Sequence, residues 1–79
     1  GPVAPGATLW SIAKDLRPDP AITTQQMVIA LQRANPEAFA GGSINGLKVG
    51  ARLRVPSLEE IRRIDPAEAR AEVDRQLGR

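Results

Sequence analysis

The chain has 79 residues and a mass of 8.5 kDa, enough for one small hydrophobic core and no second one. Eleven Lys and Arg against nine Asp and Glu leave a net charge of +2, too little for the dense basic stripe of a nucleic-acid binder. The absence of cysteine and histidine excludes disulfides, thiolate metal sites, cysteine nucleophiles and the usual general base near neutral pH.

Gly1-Pro2 reads as the scar of a cleaved expression tag, and the chain as an excised fragment, so no compartment is read from its start. Pro2-Val3-Ala4-Pro5 predicts only a strand stub, because prolines sit on edge strands or strand ends. Gly6-Ala7 turns the chain, and the Thr8 hydroxyl is placed to cap a helix. Leu9, Ile12, Ala13 and Leu16 follow at i, i+3, i+4 and i+7, one apolar stripe on a helix of about ten residues. That helix closes at Arg17, since Pro18 disfavours helical geometry just before it. Thr23-Thr24-Gln25-Gln26 is a capping box for a second helix, with an inward stripe of Met27, Ala30, Leu31 and Ala34 widened by Val28.

Asn35-Pro36 ends the second helix, and Phe39 stands in a glycine-rich loop running to Gly46. The Gly41 to Gly46 spacing imitates a phosphate loop. Leu47-Lys48 stands where Lys and then Ser or Thr are required, and a strand follows instead of a helix. Ala51-Arg52-Leu53-Arg54-Val55 alternates with the period of a half-buried strand and stops at Pro56. The expected fold is therefore α+β: a two-stranded antiparallel sheet made from the ends of residues 1–56 and packed on two helices. Leu9, Ile12, Leu16, Met27, Leu31, Leu53 and Val55 are the expected core. Residues 57–79 are expected to form a C-terminal helical extension. Ser57-Leu58-Glu59-Glu60 is a second capping box, and Asp65-Pro66 restarts the helix. Beyond Ala67 it offers mainly alanine with Val73 and Leu77, so it is expected to project or fray.

Carboxylate pairs are the only catalytic raw material, and none is placed for chemistry. Glu59 and Glu60 splay about 100° apart on a helix, beside Arg62 and Arg63 that would pair with them. No enzymatic activity, cofactor or metal is expected. Lys48, Arg52 and Arg54 read as guards of a strand edge, with a basic patch as the rival reading. Trp10 lies about 100° off the buried stripe and either covers the domain edge or lines a ligand groove. The longest unbroken apolar run, Met27 to Leu31, is five residues, so no membrane contact is expected of this fragment.

In Gly6-Ala7-Thr8-Leu9-Trp10-Ser11-Ile12-Ala13, together with Val3, the chain resembles the V-x-x-G-D-T-L-W-x-I-A signature of LysM domains. Asn35-Pro36 and Leu47-Lys48-Val49-Gly50-Ala51-Arg52-Leu53-Arg54-Val55-Pro56 resemble the family's closing motif. The segment from Gln25 to Phe39, then Ile44 to Gly50 and the tail from Ile64 to Val73, is similar to the LysM region of FimV-type pilus-assembly and polar-landmark proteins. The resemblance implies a non-catalytic module that binds N-acetylglucosamine-containing glycan, the peptidoglycan, in the periplasm as part of an inner-membrane protein. It implies a groove with Gly6, Ala7, Thr8, Leu9 and Trp10 on one wall and Asn35, Pro36, Ile44, Leu47 and Val49 on the other. Pilus or secretion machinery proteins are a further class of partner. Ala7 replaces the family's usual Asp, and residues 37–46 make the second loop longer than usual. Those departures keep a second function open: protein–protein interaction with a degenerate groove, docking through the C-terminal helix.

Overall fold

Each helix begins where the sequence supplies an oxygen for otherwise unpartnered N–H groups. The computed structural model describes residues 2–79, and Gly1 of the tag-scar reading lies outside them. Among the described residues the α-helices are α1 (Leu9–Leu16), α2 (Thr24–Ala34), α3 (Leu58–Arg62) and α4 (Pro66–Gln76). Thr8 caps α1 by accepting from the Ser11 N–H. Thr23 with Gln26, and Ser57 with Glu60, form complete capping boxes for α2 and α3. Asp65 caps α4 through the N–H groups of Ala67 and Glu68, with Pro66 in the first turn.

Helix α2 is the axis of the molecule. Six successive residues, Gln26 to Leu31, are buried, because α1, α3 and α4 all pack on it. A helix covered on several sides needs apolar residues all round, which explains why Ile29 is buried although it lies off the predicted stripe. Gln26 tolerates burial because both ends of its amide are engaged: Oε1 accepts from the Thr23 N–H at 2.8 Å, and Nε2 donates to the Ile64 carbonyl at 2.9 Å.

The expected two-stranded sheet is absent among the described residues. Val3 donates to the Ala51 carbonyl and accepts from the Gly50 N–H, both at 2.8 Å, and the pairing stops at an isolated bridge between Pro2 and Arg52. Two causes act together. Pro2 and Pro5 carry no N–H, and turns at residues 4–7 and 48–51 bend both segments away beside Val3. On the far side of residues 51–55, the Asn35 side chain takes the place of a strand. Its Oδ1 accepts from the Arg54 N–H at 2.7 Å, and its Nδ2 donates to the Arg54 carbonyl at 2.9 Å.

The core shifts accordingly. Leu9, Met27 and Leu31 are buried as expected, and Ile12 and Leu53 are half-buried against them. Leu16 and Val55, counted in the expected core, are 36% and 50% exposed because no sheet draws them inward. Their places are taken by Ile22, Phe39, Ile44, Ile61, Ile64, Ala69 and Val73. Helix α4 does not project or fray. Its Ala69 and Val73 are buried, since small side chains let a helix lie close on its neighbour. Residues 36–46 are not a plain loop either. They form three short 3₁₀ turns at Pro36–Ala38, Ala40–Gly42 and Ile44–Gly46.

Candidate functional site: a groove at the start of α1

Ala7 donates to the Ala4 carbonyl at 3.1 Å, closing a turn with Pro5 and Gly6 at its centre. Gly6 has φ +83°, the left-handed value that the third residue of a type II turn requires. A Cβ there would meet nothing within 4 Å, so glycine serves the backbone conformation and not a close approach. The turn delivers Thr8 to the head of α1. Thr8 Oγ1 accepts from the Ser11 N–H at 3.1 Å and donates to Ser11 Oγ at 3.0 Å. The N–H groups of Leu9 and Trp10 belong to the same first turn, where no helical carbonyl can reach them.

The opposite wall is the Ile44–Gly46 turn. Ser43 Oγ accepts from the Asn45 N–H at 3.1 Å and starts that turn. Gly46 packs so tightly that a Cβ would sit 2.1 Å from the Ala40 carbonyl oxygen. A bridge between Phe39 and Leu47, and a bond from the Lys48 N–H to the Ala38 carbonyl at 2.9 Å, then bring Leu47 alongside. Between the two walls lies an open groove of about 270 Å³, lined by Ala7, Thr8, Leu9, Trp10, Ile44, Asn45 and Leu47.

Six predicted site residues, Ala7, Thr8, Leu9, Trp10, Ile44 and Leu47, thus meet in one groove. Trp10 is 40% exposed and takes the groove-lining place of its two readings. Gly6 shapes the preceding turn and does not line the groove. Val49 is exposed in the turn at residues 48–51, and Pro36 is exposed at the start of its 3₁₀ turn. Asn35 is 1% exposed, and its amide is engaged with Arg54 and with the Leu31 carbonyl at 2.9 Å. Its structural duty leaves no group for a ligand. Asn45 is not among the expected site residues, yet its place between Ile44 and Gly46 puts it on the same turn.

No titratable side chain lines the groove. Charge is gathered elsewhere: Arg54 makes a two-pronged pair with Glu60 at 3.0 and 3.1 Å. That guanidinium, with the Ser57 N–H, holds the Glu60 carboxyl down to about 2. On α4, Arg75 and then Gln76 hold the Glu72 carboxyl below the usual carboxylate range. Of the expected ion-paired face on α3 only Arg63 with Glu59, at 3.3 Å, forms; Glu60 turns to Arg54, and Arg62 lies 3.9 Å from Asp19. Among the described residues no cluster of three His, Cys, Asp or Glu could hold a metal ion, and no helix is long and apolar enough to cross a membrane.

No family model matches the chain, and no solved structure matches it. Similarity is found to the motility hub protein FimV of Pseudomonas aeruginosa, in strains PAO1 and UCBPP-PA14. Each is 41% identical over 69 residues, which cover 87% of this chain. The chain spans 7% of the length of these curated relatives. The similarity is thus to one short segment of FimV.

Proposed function

We propose that the chain is a LysM-like, non-catalytic module that binds N-acetylglucosamine-containing glycan of peptidoglycan, within a FimV-like motility protein. The observation that carries this reading is the groove beside Trp10. It is uncharged, and it pairs an indole and aliphatic side chains with the N–H groups of a helix start and the Asn45 amide. A neutral sugar asks for that combination: apolar surface for the ring face and acetyl methyl, and a few polar groups to orient hydroxyl and acetamide. At about 270 Å³ the groove lies just below the usual range of about 300–1,000 Å³ for small-molecule clefts, so it suits one or two sugar units of a longer strand. On this reading the module works in the periplasm, where peptidoglycan lies, and its FimV-like parent serves pilus or secretion machinery.

Docking of another protein through the C-terminal helix draws less support. The apolar side chains of α4 that would serve it, Ala69 and Val73, are buried in the core.

Titration of the isotope-labelled chain with N-acetylglucosamine oligomers, beside co-sedimentation with purified peptidoglycan, tests the proposal. Amide shifts are expected at residues 7–10 and 44–47. Neither shifts nor co-sedimentation at millimolar ligand, an affinity weaker than about −4 kcal/mol, would overturn it.

A further inference from the structure

Two glutamine side chains tie the groove's second wall to the C-terminal helix. Gln76 Oε1 accepts from the Ile44 N–H at 2.9 Å and from Gln32 Nε2 at 2.9 Å. Gln76 Nε2 donates to Gln32 Oε1 at 2.8 Å and to Glu72 Oε2 at 2.9 Å. Gln32 Nε2 also donates to the Gly42 carbonyl at 2.8 Å. The orientation of both amides is fixed by chemistry. The Ile44 N–H can only donate, so Gln76 must turn its oxygen there. The Gly42 carbonyl can only accept, so Gln32 must turn its nitrogen there. The oxygen of Gln32 and the nitrogen of Gln76 are then left facing each other, and they bond. Every contact in the pair is consistent with every other.

We infer that Gln76, acting with Gln32, is the positioning residue of the groove, and that α4 sets the distance between Trp10 and the Ile44–Gly46 turn. The inference rests on the glycan reading for its ligand, but not for its mechanics. Helix α2 carries Gln32 and is held rigid by burial, while α4 carries Gln76. The segment between them in space, residues 42–44, passes through Gly42 at φ +69° and gives one carbonyl and one N–H to these two side chains. Without the amide pair, the Ile44 N–H and the Gly42 carbonyl lose their side-chain partners, and the turn bearing Ile44 and Asn45 can move against Trp10. Any event that displaces α4 would therefore alter glycan binding at a groove that α4 does not itself line.

Amide hydrogen exchange of the full chain, paired with titration by N-acetylglucosamine oligomers, tests this with two variants. In Gln76→Leu, exchange at the Ile44 amide is expected to rise about tenfold, the scale of one lost hydrogen bond, with the Met27 and Leu31 amides unchanged relative to global stability. Oligomer affinity is expected to fall by a similar factor. Gln76→Glu keeps an acceptor for the Ile44 N–H but sets a carboxylate oxygen against Gln32 Oε1, so Ile44 exchange is expected to be slower in it than in Gln76→Leu. Unchanged Ile44 exchange in Gln76→Leu would overturn the clamp. Faster exchange with unaltered affinity would overturn its role in binding. If the parent chain binds no oligomer while Ile44 exchange still rises, the glycan reading falls and the clamp on the groove wall stands.

Discussion

The extended segments at residues 2–5 and 51–56 and the helical segment at residues 57–79 exchange the roles their sequences suggest. Residues 51–55 carry the alternating pattern of a strand, yet they meet residues 2–5 at one point beside Val3 and leave Val55 half in water. The helical segment offers beyond Pro66 only Val73 and Leu77 as large apolar side chains, yet Ala69 and Val73 are buried there beside Ile61 and Ile64. The difference lies in the partners each finds. A strand needs a second strand long enough to satisfy its backbone, and two turns and two prolines leave no room for one. A helix satisfies its own backbone, so α4 needs only a surface to cover, and α2 offers one. In a domain this small, backbone self-sufficiency decides which segment becomes scaffold.

Substitution can break this comparison directly. Ile61→Ala, in the helical segment, is expected to lower stability by about 2–5 kcal/mol, from lost burial plus cavity. Val55→Ala, in the extended segment, should cost less than about 0.5 kcal/mol. Urea unfolding of the two variants measures both, and equal losses would return the extended segment to the core. The next effect sharpens the account of why no sheet forms. Asn35→Ala removes the side chain that pairs with both backbone groups of Arg54, and a loss of about 1–3 kcal/mol is expected. The same variant should speed exchange at the Arg54 amide. A neutral outcome would mean that residues 51–55 are held by something other than Asn35.

The smallest expected effect concerns the ion pair that joins the two regions, Arg54 on the extended segment and Glu60 on α3. Glu60 is held down to about 2 in the folded chain, below the ordinary carboxylate value of the unfolded chain. A depressed acid stabilises the fold above its unfolded value and loses that contribution as pH falls through the folded value. The stability gap between the parent and Glu60→Gln should therefore be full at neutral pH and shrink as pH drops from about 4.5 towards about 2. Both side chains are well exposed, so the gap is small and narrows further in salt. A gap that stays constant with pH would mean that the charge of Glu60 contributes nothing to stability.

What the sequence discloses here is what neighbours within a few residues decide. Thr8, Thr23, Ser57 and Asp65 all cap as their spacing indicates, because a cap closes over three residues. The failed sheet is a matter of length: alternation at residues 51–55 is present, but pairing depends on how soon Ala4 and Lys48 begin to turn. The burial of α4 is a matter of complement. Its own side chains signal little, whereas the run from Met27 to Val28, Ile29, Ala30 and Leu31 is apolar all round, and such a helix must be covered on more than one side. Half the groove follows the same logic. Ala7 to Trp10 are consecutive and legible together, while Asn35 has its amide committed to a backbone 19 residues away.

Trp10 has an optical consequence. The chain holds one tryptophan and no tyrosine, so its indole emission comes from the groove mouth alone. An indole already 40% exposed in the folded chain changes its surroundings only modestly on unfolding. A thermal melt followed by emission should therefore give a weak transition, while far-ultraviolet dichroism of the same sample shows the full loss of helix. Silence in that channel would not mean a molten fold. A blue shift on adding a sugar would be a local signal, water leaving one ring, uncontaminated by the rest of the molecule.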